Sequence, residues 1–369
     1  MIPLSRPDIT QAEIESVNKV LKSSHLSNGP MIKVFEAKLA AIAGTRYAVA
    51  VSSGTAALHL ILLSLGIQPG DEVITTPYSF IASANCILYV GATPVFCDIA
   101  PGEFNIDPAL IAAKITPRTK AILVVHVFGI PARLAEIQAI ASQYNLAVIE
   151  DACEAIGAKW NQTPVGSTGV AGTFAFYPNK QITTGEGGTV VTNDRALAES
   201  VRSLANQGRA PGDSWLNHSL LGYNYRLDEL SAALGAAQLE RLPEILARRA
   251  RVAEWYAREL DGEPAVVVPN ASIGRRDQVS WFVYVVRFAD PALRESVAHH
   301  LQSLDIETRP YFPAIHLQPF YRKQFGYAEG AFPVTESLAA TGLALPFYTK
   351  MTHAQVSEVC NGIKSVLQR

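Results

Sequence analysis

The stretch AILVVHVFGIPARLAEIQAIASQYNLAVIED, residues 121–151, decides the fold. It opens on an apolar run, AILVVHVFG (121–129), crosses a helical pattern, RLAEIQAIASQYN (133–145), and closes on LAVIED (146–151). Both runs are apolar at consecutive rather than alternate positions, the pattern of strands covered on two faces. The same style extends outward in both directions. YAVAVS (47–52), EVITT (72–76) and TPVFCDI (93–99) precede it, and GTFAFY (172–177) and GTVVTN (188–193) follow. Helical stretches such as TAALHLILLSLG (55–66) lie between several of them. That alternation predicts an α/β fold, a mainly parallel sheet between helices, with ligands gathered at the carboxyl ends of its strands.

The flanks read differently. Asp8 to Leu21 and Met31 to Ala43 form amphipathic patterns, with Thr10 placed to cap the first, and SSHLSNGP between them is a loop by composition. A long helical region runs from Leu227 to about Leu260 and is interrupted near Pro243. Beyond it, SWFVYVVRF (280–288) alternates like a strand, Asp290 to Leu304 looks helical, and Ala354 to Leu367 makes a closing helix. Ahead of that helix lies TRPYFPAIHLQPFY (308–321), a loop rich in proline and aromatics. With 369 residues and about 150 per domain, two domains are expected. They are a large one over 1–250, including the N-terminal helical segment, and a smaller α+β one over 251–369. No repeat or linker composition separates them.

Composition narrows the class. The 31 Lys+Arg against 33 Asp+Glu give a net charge of −2, which removes the electrostatic case for nucleic acid. Hydrophobic residues at 49% and charged residues at 17% supply a large core and exclude disorder. Cys86, Cys97, Cys153 and Cys360 stand singly, and the histidines show no metal spacing, so free thiols and no metal are expected. MIPLSRPDITQAE at the start has no basic region followed by an apolar stretch, and no run approaches the roughly 20 residues of a membrane span. The expectation is a cytoplasmic protein without membrane association.

Three elements carry chemistry. GTFAFYPNKQITTGEGGTVVTN (172–193) delivers Lys180 into a Gly/Thr-rich loop between two strands. Asp151 ends the strand LAVIED, where a parallel sheet faces its ligand crevice. In VSSGTAAL (51–58), Ser53, Gly54 and Thr55 lie between a strand and an apolar helix, whose first N–H groups can hold an anion. Each has an ordinary structural explanation: a solvated lysine, a capping aspartate, an N-cap serine. Together they specify a cofactor with an aldehyde, a cationic ring nitrogen and a phosphate. Pyridoxal 5′-phosphate has all three, and a lysine at its aldehyde with a carboxylate at its pyridinium is the expected arrangement.

Six ordered blocks extend the pattern over nearly the whole chain. They are SSGTAALHL (52–60), PYSFIASANCILYVGATPVFCDI (77–99), VIEDACEAIGA (148–158), FYPNKQITTGEGG (176–188), GYNYRLDELSAALGAAQL (222–239) and RPYFPAIHLQPFY (309–321). In these the sequence resembles the sugar aminotransferases of the DegT/DnrJ/EryC1/StrS family, within the fold-type I pyridoxal phosphate enzymes. The resemblance implies that Lys180 carries the cofactor's aldehyde and that Asp151 partners the ring nitrogen. It implies Phe80 stacked on the ring, Gly54 and Thr55 at the phosphate, and Asn224 reaching the phosphate of a neighbouring subunit in an obligate homodimer. Two positions depart from it. Ala175 stands where many relatives bond the phosphate through a serine. Glu154 stands where relatives often place Gln or His beside the phenolic oxygen, so its carboxyl is protonated, turned away, or pointed at substrate.

The function so implied is transfer of an amino group from an amino acid, usually glutamate, to a nucleotide-linked keto sugar, often a 4-keto-6-deoxyhexose. The order is ping-pong, through pyridoxamine phosphate. Arg309, Tyr311 and His316, with the loop at Asn28, offer charge and aromatic surface for the nucleotide and sugar. A tightly packed loop with a satisfied His316 is the competing reading. Amination at C3 is the alternative outcome. A sugar 3-dehydratase has histidine in place of the lysine, so Lys180 argues against it. A cofactor-binding regulator has no use for all three elements together. A dinucleotide enzyme is excluded by the missing GxGxxG after the first strand.

Overall fold

The computed structural model describes residues 1–209, 212, 214, 217–269 and 277–368. Seven strands form the main sheet: β1 (Tyr47–Val51), β2 (Glu72–Thr75), β3 (Thr93–Phe96), β4 (Thr119–Val125), β5 (Ala147–Asp151), β8 (Ala171–Ala175) and β9 (Gly188–Thr192). A two-stranded hairpin, β6 (Lys159–Trp160) and β7 (Thr163–Pro164), lies between β5 and β8 in sequence. The spatial order is β1-β9-β8-β5-β4-β2-β3. Every pair is parallel except those made by β9, which runs antiparallel to both β1 and β8. The loop over residues 176–187 is what reverses the chain, and it is also the loop that carries Lys180. The expected α/β class with a mainly parallel sheet is what the chain adopts.

Alternate residues of the strands supply two apolar layers. Val49, Val51, Leu123, Val125 and Ile149 enter one core, and Ala48, Ala50, Ile122, Val124 and Val148 enter the other. Both faces of a central strand are therefore covered, which is why those runs lack polar alternation. The helix Gly54–Ser64 is buried from Ala56 through Leu62, so it too has no polar face to display.

β10 (Val266–Val267), β11 (Tyr284–Phe288) and β12 (Gly342–Leu345) form a separate antiparallel sheet. The helices Pro291–Ser303 and His353–Leu367 share its core through Val297, Leu301, Val356 and Ile363. The helix Leu242–Glu259 joins the two regions: Leu242 and Ile245 pack in a main-sheet core, Val252 and Tyr256 in the small-sheet core.

Several expectations shift at their edges. The first helix spans Gln11–Leu21 rather than starting at Asp8, with Thr10 N donating to the Glu13 carboxylate at 2.6 Å. The break near Pro243 is real: helices Glu229–Glu240 and Leu242–Glu259 meet at Arg241, and Pro243 sits in the second helix's first turn, where it lacks no needed donor. The run 280–288 is a strand only from Tyr284. The loop read over 308–321 gives way at Pro319 to a helix, Pro319–Phe325, and Pro333–Thr341 and β12 follow before the closing helix. Both overlooked helices begin on a proline, which reads as a breaker but is favoured in a first turn. Among the described residues no helix is long and apolar enough to cross a membrane.

Candidate active site

Because β1, β5 and β8 share one direction, their carboxyl ends open on the same edge of the sheet, and a cavity of about 740 Å³ lies there. Its wall includes Gly54 and Thr55 after β1, Asp151 at the end of β5, and Ala175 and Lys180 at and after the end of β8. Phe80, Glu154 and Tyr311 also line it. Eight residues from distant parts of the sequence are thus brought to one place, those at the ends of β1, β5 and β8 by strand direction.

At the β1 end, Ser53 caps the helix Gly54–Ser64 by accepting from Ala56 N at 3.0 Å. The N–H groups of Gly54 and Thr55 have no preceding turn to pair with and stand at the cavity wall. Glycine is required at two points here. A Cβ on Gly54 would lie 2.7 Å from both Ala175 Cβ and Cys153 Sγ, and one on Gly188 would lie 2.3 Å from the Ser53 carbonyl. Ala175 therefore fits beneath the helix start by its small size.

Asp151 is buried, and both carboxylate oxygens are engaged. Ser83 Oγ donates to Oδ2 at 2.7 Å, and Cys153 N donates to Oδ1 at 3.1 Å. Ser83 itself contacts Ser79 Oγ at 2.8 Å. A carboxylate so held can receive a further cationic donor with little loss of freedom. Burial, and next the Asp151 charge, push the Cys153 thiol well up, so it is an inert wall rather than a nucleophile.

Lys180 follows a tight turn in which its own N–H donates to Tyr177 O at 2.9 Å. Thr184 N and Thr183 Oγ1 both donate to Phe176 O, at 3.0 and 2.9 Å, closing the base of the loop. Its Nζ lies 3.4 Å from Glu154 Oε1 and 3.9 Å from the centre of the Phe282 ring. Glu154 is thus neither turned away nor free. Its Oε2 accepts from Phe128 N at 2.9 Å, a residue held at φ 59°. Burial pushes the Glu154 carboxyl up, and Lys180 with the Phe128 amide pulls against that. Tyr311 is fixed from behind: the Tyr78 hydroxyl donates to its carbonyl and accepts from Phe312 N at 3.2 Å. Burial first, and Glu154 next, raise the Tyr311 phenol.

The other residues singled out from the sequence lie away from this cavity. His316 is buried, with Nε2 2.9 Å from Glu336 Oε1 and its ring packed on Phe332. Burial lowers its imidazole below the usual range despite Glu336. Arg309 is exposed and donates to Thr308 O at 3.1 Å. Asn28 is exposed at φ 56°, beside the Gly29, Met31 and Ile32 amides that Glu229 caps. Asn224 is exposed, flanked by the stacked rings of Tyr223 and Tyr225. Ser83 and Phe282 were not picked out from the sequence. A serine in a helix and a phenylalanine in an apolar run carry no local signal of a site.

The donor set fits pyridoxal phosphate: a buried carboxylate for a cationic ring nitrogen, an amine for an aldehyde, two free amides for a phosphate and an aromatic rim. Comparison with known proteins points the same way. A sequence model described as the DegT/DnrJ/EryC1/StrS aminotransferase family matches residues 7–364. GDP-perosamine synthase of Caulobacter vibrioides is 40% identical over 370 residues, covering 99% of this chain and 98% of that one. The structure of DesV from S. venezuelae has a TM-score of 0.93 at 34% identity, covering 100% and 99% of the two chains. The PLP form of a putative sugar aminotransferase, Spr1654 from Streptococcus pneumoniae, has a TM-score of 0.93 at 28% identity, covering 100% and 98%. On matches that run from end to end, with the fold of fold-type I aminotransferases, this chain belongs to the DegT/DnrJ/EryC1/StrS aminotransferase family.

Proposed function

We propose that the protein moves an amino group from an amino acid, L-glutamate, to a nucleotide-linked keto sugar of the 4-keto-6-deoxyhexose class, with pyridoxal phosphate as cofactor. The observation that carries this reading is that the half-buried Lys180 and the buried Asp151 line one cavity against a helix N-terminus. The kinship with a GDP-perosamine synthase supports the sugar class. When bound, pyridoxal phosphate supplies an electron sink that acidifies the donor's α-hydrogen.

The protein's own residues divide the remaining work. Asp151, fixed by Ser83 and Cys153 N, holds a proton on the ring nitrogen by opposite charge, each pKa unit so gained being worth about 1.4 kcal/mol. The Gly54 and Thr55 amides hold the phosphate, and Phe80 covers the ring. Lys180 Nζ would take the proton from the donor's α-carbon and return it, across the nitrogen, to the carbon that was the cofactor's aldehyde, while Glu154 would balance the ammonium that forms. The second half-reaction reverses these transfers on the sugar, and ping-pong kinetics follow. Tyr311 faces the substrate from the cavity wall, whereas Arg309 and Asn28 are exposed and do not line this cavity.

We further propose a homodimer in which Asn224 serves the phosphate of the other copy, consistent with its exposure and its place outside its own cavity. A cytoplasmic setting suits the four free cysteines. The substrate reading is tested by converting the enzyme to its amino form with glutamate and offering a panel of keto nucleotide sugars. Return of the aldehyde spectrum with 4-keto-6-deoxyhexoses is expected. Return only with simple oxo acids would defeat the sugar assignment.

A further inference from the structure

Behind the Lys180 side chain runs Ser280–Phe282, a segment in neither helix nor strand that is nonetheless held at every residue. Gln181 Nε2 donates to Ser280 O at 2.8 Å and to Glu154 O at 2.6 Å, tying the segment to both neighbours of the lysine. Ser280 N donates to Gly129 O at 3.0 Å. Arg249 Nε donates to Trp281 O at 2.7 Å, and its Nη2 donates to Phe282 O at 2.6 Å.

Arg249 is an unusual choice for this task. It is 2% exposed, and among the described residues its charge meets no carboxylate; Thr349 Oγ1 at 3.4 Å and the Phe347 ring at 4.9 Å complete its surroundings. Burial pulls its guanidinium down to about 9. An apolar side chain would fill the same space at lower cost. What only the planar fork supplies is a grip on two successive carbonyls. The second belongs to Phe282, itself 2% exposed, whose ring centre is 3.9 Å from Lys180 Nζ. An ammonium at that point meets an aromatic face and, at 3.4 Å, the Glu154 carboxylate.

We propose that Phe282 is a further residue of the reaction centre, the aromatic face that receives the Lys180 nitrogen when it carries a proton, and that Arg249 is the positioning residue for that face. The inference rests on the reading of Lys180 as the proton carrier. In that step a neutral amine takes a proton from the donor's α-carbon and becomes an ammonium, and nothing is oxidised. A neighbour that favours the ammonium lowers the barrier to proton removal without changing substrate binding.

Phenylalanines fluorinated at one, two and three ring positions test this at residue 282, because they weaken the face of the ring while nearly keeping its volume. In the full chain before cofactor is added, trace acetylation of Lys180 at fixed neutral pH, read by mass spectrometry, is expected to accelerate with each fluorine. In the loaded enzyme kcat is expected to fall stepwise to about one tenth, with KM within about twofold, the scale of a desolvated cation–π contact. Arg249→Lys, which keeps charge but loses the fork, is expected to lower kcat similarly, with thermal melting recorded alongside and Arg249→Met as the charge-free comparison. A flat fluorine series, or a folded Arg249→Lys protein with wild-type kcat, overturns the inference. Lys180→Ala runs in parallel: activity retained there sinks the reading of Lys180 itself, whereas Lys180-dependent activity with a flat series sinks only the role of Phe282.

Discussion

A single carboxylate decides whether the cavity can hold a cation. Asp151 has both oxygens already oriented, by Ser83 and by the Cys153 amide, so its charge needs no reorganisation to meet a ring nitrogen. Asp151→Asn keeps the shape and removes the charge. Binding of pyridoxal phosphate is expected to persist, while the rate of donor deprotonation falls at least about 100-fold, some 2.7 kcal/mol of barrier. Stopped-flow spectroscopy with glutamate checks this, and near-normal rates would remove the electrostatic role. Glu154→Gln takes the counter-charge from Lys180 and is expected to cost about tenfold in kcat with KM little changed, on the scale of one hydrogen-bonded ion pair. A carboxylate at a strand end and a lysine in a glycine loop could be picked from sequence because strand direction alone delivers them. The partners that tune them could not, since Ser83 and Phe282 acquire their roles only through packing between distant segments.

At the scale of elements, the helix Gly54–Ser64 is pressed against the end of β8 with no room at its first residue. Gly54→Ala places a Cβ 2.7 Å from Ala175 and Cys153, so overpacking of about 1–3 kcal/mol is expected, with weaker cofactor binding as the amides shift. Thermal melting and cofactor titration measure the two effects, and an unchanged affinity would separate this helix from the phosphate site. The N-terminal helix offers a pH test. Burial pushes the Glu13 carboxyl up, but hydrogen bonds from Thr10, Arg241 and Gln238 outweigh it and hold it at about 2, below its usual 4.5. A depressed carboxylate contributes stability above its unfolded value, and that contribution is lost as pH falls through the folded one. The melting temperature should therefore drop between about pH 4.5 and 2 more steeply in the wild type than in Glu13→Gln. Equal slopes would assign the loss elsewhere. Helices with a clear apolar stripe and polar caps, such as this one, were legible to within a few residues. Those opening on Pro319 and Pro333 were not, because proline's local meaning depends on which side of the helix start it falls.

For the whole molecule, the question is whether one chain completes its own site. Its cavity gathers Gly54, Thr55, Phe80, Asp151, Glu154, Lys180 and Tyr311, yet Asn224 stands outside it and exposed. If copies exchange this residue, an Asn224→Ala chain paired with a Lys180→Ala chain carries one intact site. Random mixing of two inactive variants should then recover about a quarter of wild-type activity, since half the dimers are mixed and each has one good site. Recovery near zero, with mixed dimers shown to form, would mean that Asn224 does not serve the site of the other copy. The sheet and its ligand edge were readable because unbroken apolar runs permit only a two-sided covering. What depends on a second copy leaves no periodicity in the sequence of one. His316 shows the opposite case: its aromatic loop suggested a substrate contact, and the fold seats it against Glu336 instead.

The central claim is that Lys180 supplies the amine that captures the aldehyde of pyridoxal phosphate in this cavity. The most direct measurement is the absorbance of the full-length protein on adding that compound, with Lys180→Ala beside it. A band at roughly 400–430 nm is predicted for the wild type, lost on adding glutamate and absent from Lys180→Ala. No band in the wild type, or the same band in both proteins, would contradict it.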